Sequence, residues 1–198
     1  MPESIMLRFV QLLPQASPKG DFFLKDLPGS GKRIDVLCRD LAACFEWGRS
    51  SWPKSDLELI AVIGNSKIVK FKNPKNQVPQ GEVGWAILIR DSLKGEPPSF
   101  VEVTDGTVED VIRCLNHLEG SELWVLDEKG ASQFKIESTH QITQNSFMLG
   151  DHRGFDTHSE NIISQFNLPR VSLGKKSYLS SHCLATIISE YEKKVRIC

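Results

Sequence analysis

Three apolar runs in the second half of the chain each end in a leucine that is followed by a glycine turn. The leucines are Leu126, Leu149 and Leu173, and the glycines are Gly130, Gly150 and Gly174. A glycine lets the backbone approach a ligand closely, and small molecules bind outside the carboxyl ends of parallel strands. One leucine–glycine pair is usually only a turn, but its recurrence at successive strand ends predicts a small-ligand site at one edge of a sheet.

A second candidate pair, Arg33 and Asp35, stands at the start of a predicted helix, directly after the glycine loop 28–31. Two interpretations are open. The helix dipole favours a carboxylate in the first turn, so the pair can be a solvated helix start; alternatively, both side chains project into a cleft. The loop is not a phosphate loop, because the Walker pattern requires glycine where Asp26 stands and serine or threonine where Arg33 stands.

The elements that must position these residues alternate along the chain. Hydrophobic spacing predicts strands over 6–13, 57–63, 67–72, 100–103, 123–126, 133–136, 147–149 and 171–173. It predicts helices over 33–47, 81–93, 107–118, 156–166 and 179–194, with Thr107 and Asp156 as N-caps. The alternation is typical of an α/β fold with a largely parallel sheet flanked by helices. No strong boundary divides residues 1–198, which indicates one domain.

The composition of the 198 residues is that of an ordinary globular protein, with 40% hydrophobic and 25% charged residues. No run of about 18 apolar residues exists, so no membrane span is predicted, and the first residues do not resemble a signal peptide. The five cysteines are odd in number and lack CxxC spacing, which argues against disulfides or a zinc site and predicts a cytoplasmic protein. The net charge of −1 means that an RNA surface would have to be a local basic patch.

Three segments together resemble a known family. They are FFLKDLPGSGKRIDVLCR at 22–39, FMLGDHRGF at 147–155 and VSLGKKSYLSSHC at 171–183. In this order and spacing they are similar to the archaeal tRNA pseudouridine N1-methyltransferase family (TrmY), of the SPOUT class of S-adenosylmethionine-dependent RNA methyltransferases. The resemblance covers nearly the whole chain and implies a SPOUT-type fold with a C-terminal trefoil knot. It also implies a homodimer, which apolar faces on the helices 34–45 and 184–191 favour.

The resemblance implies roles for individual residues. S-adenosylmethionine would lie among the three loops, and the residues at its site would be Leu126, Leu149, Gly150, Leu173, Gly174, Leu179 and Cys183. The alternative for Cys183 is an inert buried thiol. Arg33 and Asp35 would be the catalytic pair: the carboxylate would accept the proton from pseudouridine N1, and the arginine would steady phosphate or developing charge. Further phosphate contacts would come from Lys25, Lys32, Arg39 and Arg153.

The function implied is therefore methylation of N1 of pseudouridine, with tRNA as the RNA partner. Two alternatives remain open at the level of sequence. A methyltransferase of the same fold could act on another RNA uridine or pseudouridine, or the chain could be a non-catalytic RNA-binding module. The intact leucine–glycine turns and the Arg33 and Asp35 pair argue against the last alternative.

Overall fold

The computed structural model describes residues 5–47, 56–130, 132–133, 143–174 and 176–194. The strands are β1 (Met6–Leu13), β2 (Leu57–Ile63), β3 (Lys67–Lys72), β4 (Val101–Asp105), β5 (Ser121–Leu126), β6 (Ser132–Gln133), β7 (Gln144–Leu149) and β8 (Arg170–Ser172). The helices are α1 (Ile34–Phe45), α2 (Gly81–Leu93), α3 (Val108–Asn116), α4 (Thr157–Gln165) and α5 (Ser180–Lys194). In this described part of the chain, none of the helices has the length and apolarity needed to cross a membrane.

The strands form one sheet in the order β4-β3-β2-β1-β7-β5-β8-β6. In this order, each strand from β2 to β6 is parallel to its next neighbour. At the other edge, β3 is antiparallel to both β2 and β4. This confirms the predicted α/β class with a largely parallel sheet. The apolar run of β2 is buried at every position, as expected for a strand covered on both faces.

Helices cover both faces of the sheet, and each face has its own apolar cluster. The larger cluster joins the sheet to α1, α2 and α5, and its largest buried side chains include Trp85, Phe147 and Tyr191. The smaller one joins the other face to α3 and α4 through Ile112 and Ile163. A central strand such as β7 therefore contributes alternate residues to two clusters, which holds its carboxyl end in place.

Local signals predicted most element bounds. Thr107 and Asp156 cap α3 and α4, each accepting a hydrogen bond from a backbone N–H in the first turn. The strand predicted over 100–103 differs, because β4 continues to Asp105, where Thr104 and Asp105 pair with Ile68 and Lys67 of β3. Of the strand predicted over 133–136, residues 134–136 lie outside the described residues.

The two helix faces that favoured a homodimer are buried inside the subunit. On α1, Leu37 and Leu41 are fully buried, and on α5, Ile187 and Tyr191 are at most 1% exposed. All four belong to the same core cluster as the sheet. That argument for dimerisation is therefore wrong, because helical periodicity shows that a face is covered and not what covers it.

Candidate functional site

The carboxyl ends of β5, β7 and β8 lie side by side, because β5 pairs in parallel with both of its neighbours. The loops that leave these strands, with the starts of α1 and α5, enclose a cleft of about 740 Å³. The residues predicted to hold the cofactor all line this cleft: Leu126, Leu149, Gly150, Leu173, Gly174, Leu179 and Cys183. The three strand-end loops that the leucine–glycine pattern predicted to lie at one edge of the sheet therefore border a single cleft.

The loop after β7 is a tight turn with no room for a side chain at its first glycine. A Cβ atom at Gly150 would lie 2.3 Å from the backbone of Gly154, and Asp151 and Gly154 exchange backbone hydrogen bonds of 3.0 Å. From β1, the buried Gln11 donates through Nε2 to the carbonyl oxygen of Gly150 at 2.8 Å. The sheet thus fixes this wall of the cleft from below.

The loop after β8 leaves its glycine open to the cleft. At Gly174 a Cβ atom would meet the Tyr178 side chain, whose hydroxyl oxygen lies 3.5 Å away, an ordinary contact distance. The hydroxyl of Ser172 donates to the Gly174 carbonyl at 2.6 Å, which holds the turn. Tyr178 and Leu179 are 53% and 56% exposed at the mouth of the cleft, so apolar surface is available there for a ligand.

The start of α1 carries the other predicted pair in an unusual backbone conformation. Lys32 and Arg33 have positive φ angles of 47° and 71°, which is uncommon for residues other than glycine. Non-glycine residues in that region persist where the surroundings over-determine them, and they cluster at functional sites. Arg33 lines the cleft, whereas Asp35 does not. Asp35 is buried, with 2% of its surface exposed.

Asp35 faces two arginines instead of the cleft. Its Oδ1 accepts from Arg33 Nε at 3.0 Å, and its Oδ2 accepts from Arg39 Nη2 at 2.7 Å. Burial works to raise the pKa of Asp35, but the hydrogen bonds from Arg33 and Arg39 outweigh it and hold that pKa below its ordinary value. Within this subunit the carboxylate of Asp35 therefore faces two arginines and not the cleft, and its catalytic role stays a prediction.

The four further basic residues divide into two groups. Arg39 and Arg153 line the cleft, whereas Lys25 and Lys32 are exposed and do not. Arg39 is held by Asp35 and, at 3.4 Å, by Glu82 of α2. The cleft therefore presents arginines on its α1 side, in addition to the leucines of the strand-end loops.

Sequence reasoning missed an ion cluster at the cleft, two of whose members, Asp127 and Glu160, line it. Arg170 of β8 donates to Asp127 Oδ2 at 2.8 Å and also bonds Glu160 of α4. Burial opposes ionisation of Asp127, but the hydrogen bonds from Lys129 N–H and Arg170 give it a lowered pKa. The chain separation of these residues explains the omission, since β8 brings Arg170 beside β5 only in the folded sheet.

Cys183 lines the cleft from α5 and is half-buried. Burial, with the nearby charge of Asp40, raises the pKa of its thiol to about 11. The thiolate is the nucleophilic form of cysteine, so at neutral pH this side chain is a small apolar part of the wall.

The fold is that of a known class of protein. Nep1 from Archaeoglobus fulgidus, in a structure with S-adenosylhomocysteine, is similar with a TM-score of 0.67 at 15% identity, over 96% of this chain and 98% of that one. This likeness confirms the predicted SPOUT-type α/β fold. The likeness is one of fold, and in this chain that fold carries a cleft at the carboxyl edge of the sheet.

Comparison of sequences defines the family. A family model of SAM-dependent RNA methyltransferases matches residues 6–197. The tRNA (pseudouridine(54)-N(1))-methyltransferase of Thermococcus onnurineus (strain NA1) is 34% identical over 92% of this chain and 95% of that protein. The protein of the same name from Thermococcus kodakarensis is 32% identical over 92% and 96%. The chain therefore belongs to this family of S-adenosylmethionine-dependent RNA methyltransferases, as its sequence predicted.

Proposed function

We propose that the protein transfers a methyl group from S-adenosylmethionine to N1 of pseudouridine in tRNA. The relatives that are 34% and 32% identical carry the name of that activity. The observation that carries the proposal is that Arg33 and Arg39 line the same cleft as the three leucine–glycine loops. Side chains suited to an anion and surface suited to a nucleoside thus share one cleft, which is what an RNA methyltransferase requires of one site.

The chemistry of the loops fits S-adenosylmethionine, which supplies a methyl group on a positively charged sulfur when bound. Apolar surface for a flat adenine comes from four leucines, and the loop at Gly174 leaves room for a ligand beside its backbone. Leu179, at 56% exposed, is a side chain that such a ligand would cover. We assign the cofactor to Leu126, Leu149, Gly150, Leu173, Gly174, Leu179 and Cys183.

We assign different roles to the catalytic pair. Arg33, on the cleft wall, contacts the target nucleotide, either at a phosphate or at charge that develops on the base. Asp35 acts through Arg33 and Arg39, because its two oxygens already accept hydrogen bonds from them. The carboxylate is thus a positioning residue, which replaces its predicted role as the direct proton acceptor.

The homodimer, the single domain, the knot and the cytoplasmic location belong to the same proposal. Val83 and Ile87 lie one turn apart on α2 and are 53% and 38% exposed, which supports an apolar contact between subunits. Light scattering should then give twice the mass of the chain.

We place the proposed knot at β8, which pairs with β5 on one side and β6 on the other. The path through 134–142 is outside the described residues.

The test of the activity is the transfer of a labelled methyl group to an RNA stem-loop. The loop carries pseudouridine in one sample and uridine in a matched sample. Because uridine joins its sugar through N1, only the pseudouridine RNA offers a free N1, and we expect label in that RNA alone. Equal labelling of both RNAs would refute the proposed substrate.

The cofactor site is tested in the same protein by calorimetry. Gly174→Val adds a side chain where ordinary contact distances remain, so the fold should persist while the cleft is narrowed. We expect S-adenosylmethionine affinity to fall at least tenfold, about 1.4 kcal/mol. Gly84→Ala on α2, away from the cleft, is the control and should bind as the wild type does. Unchanged affinity in Gly174→Val would place the cofactor elsewhere.

A further inference from the structure

Asp40 is a buried carboxyl group whose place is not explained by packing. It lies on α1 and is 0% exposed. Its Oδ1 accepts from the hydroxyl of Ser180 at 2.7 Å, and its Oδ2 has no hydrogen-bond partner among the described residues. A buried carboxylate with one oxygen unpartnered is costly. A structure that tolerates such a group indicates a function for it.

Ser180 connects this carboxyl group to the cleft. It is the first residue of α5 and one of the residues that line the cleft. One side of its hydroxyl group therefore meets Asp40 while the residue borders the ligand site. The hydroxyl group is both a donor and an acceptor, so it can pass a proton inward to Asp40 while it receives another from the cleft.

Other carboxylates on the cleft wall are already engaged. Asp127 and Glu160 bind Arg170, and Asp151 accepts from the backbone N–H of Arg153 at 2.7 Å. Asp35, behind the cleft wall, is bound by two arginines. Glu128 also lines the cleft and is exposed, and it is the alternative proton acceptor against which Asp40 has to be tested.

We propose that Ser180 and Asp40 form the path that removes the N1 proton of the target base. This inference rests on the proposed function, because a proton must leave N1 when N1 is methylated. The methyl–sulfur bond of the bound cofactor breaks as the methyl–N1 bond forms with the N1 electron pair. The N1 proton moves to Ser180 Oγ while the proton of Ser180 moves to Asp40 Oδ1. Asp40 is then neutral, and it returns the proton to water after the products leave.

The surroundings of Asp40 suit this role. Burial, only partly offset by the hydrogen bond from Ser180 and the charge of Arg39, raises the pKa of Asp40 to about 7. A general base works best when its pKa lies near the operating pH. The other titratable groups that interact with it are Asp35, Cys38 and Cys44 on α1 and Cys183 on α5, and α2 brings Glu82 onto Arg39.

The test compares Asp40→Asn with wild type at saturating cofactor and pseudouridine RNA. We expect kcat to fall by roughly 10²–10⁴-fold, the usual worth of a positioned base. In the wild type, kcat should rise through a pH near 7, and this limb should be lost in the variant. Ser180→Ala should lose activity in the same way, whereas Ser180→Thr, which keeps the hydroxyl, should restore most of it. Ser92→Ala, a buried serine on α2, is the control for folding.

A second measurement needs neither cofactor nor RNA. Infrared difference spectroscopy of the free protein should show a carboxylic acid C=O band that titrates near pH 7 and is absent from Asp40→Asn. Wild-type kcat and an intact pH limb in Asp40→Asn would overturn the proposal, as would loss of the limb in Glu128→Gln instead. If the wild type binds S-adenosylmethionine but does not methylate pseudouridine, the proposed substrate is wrong. If the infrared band is missing, Asp40 is not the acceptor for any substrate.

Discussion

Helix α1 carries two buried carboxylates, Asp35 in its first turn and Asp40 further along. They differ in their hydrogen-bond partners and in the direction of their pKa shifts. Asp35 accepts hydrogen bonds from two arginines, and Asp40 accepts one from a serine. The pKa of Asp35 is held below its ordinary value by those arginines against the effect of burial, whereas burial raises the pKa of Asp40 to about 7.

The comparison shows that the same residue type can hold a charge permanently or exchange a proton, according to its partners. A carboxylate with arginines keeps its charge and orients them. A carboxyl group in an apolar surrounding, with one hydroxyl partner, changes its protonation near neutral pH. Environments that push two pKa values apart identify which group can serve as the base.

On the Asp35 side of this comparison, the largest effect should come from Arg33, which donates to that carboxylate. Arg33→Met should lower kcat/KM for RNA by roughly 10²–10³-fold, the cost of removing one preorganised donor to developing charge. Calorimetry should show unchanged affinity for S-adenosylmethionine, because the proposed cofactor site lies among the strand-end loops. Arg90→Met on α2, which also removes an arginine paired with a carboxylate, should leave both quantities as they are. Wild-type turnover in Arg33→Met would show that Arg33 does not contact the target nucleotide in the way proposed.

The next effect is on stability and belongs to Asp35 itself. Asp35→Asn should reduce the free energy of unfolding at pH 7 by roughly 1.5–3 kcal/mol, as for a hydrogen bond to a charged group. Since the folded-state pKa of Asp35 is lowered, its stabilising effect is present above its ordinary pKa and is lost as pH falls through the folded-state value. Urea unfolding should therefore show the difference from wild type shrinking below about pH 4. A difference that does not depend on pH would refute the ion-pair account.

Asp40 should show the opposite sign. Its folded-state pKa is raised, so the stability that its neutral form contributes is lost as pH rises from its ordinary pKa towards about 7. Asp40→Asn removes this dependence. Between pH 5 and pH 8, the free energy of unfolding of the variant should therefore rise relative to that of the wild type by at least about 1.4 kcal/mol, the worth of one pKa unit. Urea unfolding at pH 5 and pH 8 measures the change. A stability difference between the two proteins that is the same at pH 5 and pH 8 would contradict it.

The smallest expected effect is on Cys183, whose raised pKa has burial as its main cause and Asp40 as the next. Removal of that negative charge in Asp40→Asn should lower the thiol pKa and raise its alkylation rate at pH 9 by roughly a few fold, for a change of less than one pKa unit. Asp35→Asn is the control and should not alter the rate. Iodoacetamide labelling followed by mass spectrometry measures it. An equal change in both variants would mean that general loosening, not charge, is responsible.

Much of this molecule follows from local signals in the chain. Thr107 and Asp156 predict helix starts because their side-chain oxygens can accept hydrogen bonds from backbone N–H groups a few residues further along the chain. Leu126, Leu149 and Leu173 predict strand ends because each precedes a glycine turn. These signals were enough to predict the α/β class and the sheet edge that carries the cleft, since parallel strands bring their carboxyl ends together. The family resemblance in three segments supplied the cofactor and the enzyme class.

Tertiary structure decided the roles of the acids and of the apolar faces. The sequence showed that α1 and α5 each have an apolar face, but the fold packs both into one core and leaves Val83 and Ile87 of α2 exposed. It also showed Asp35 beside Arg33, but Arg39 reaches the same carboxylate one turn on. Asp40 and Ser180 are 140 residues apart in the chain and meet only when α5 begins against α1. A pKa depends on such neighbours, so the protonation state of a buried acid is a property of the folded molecule.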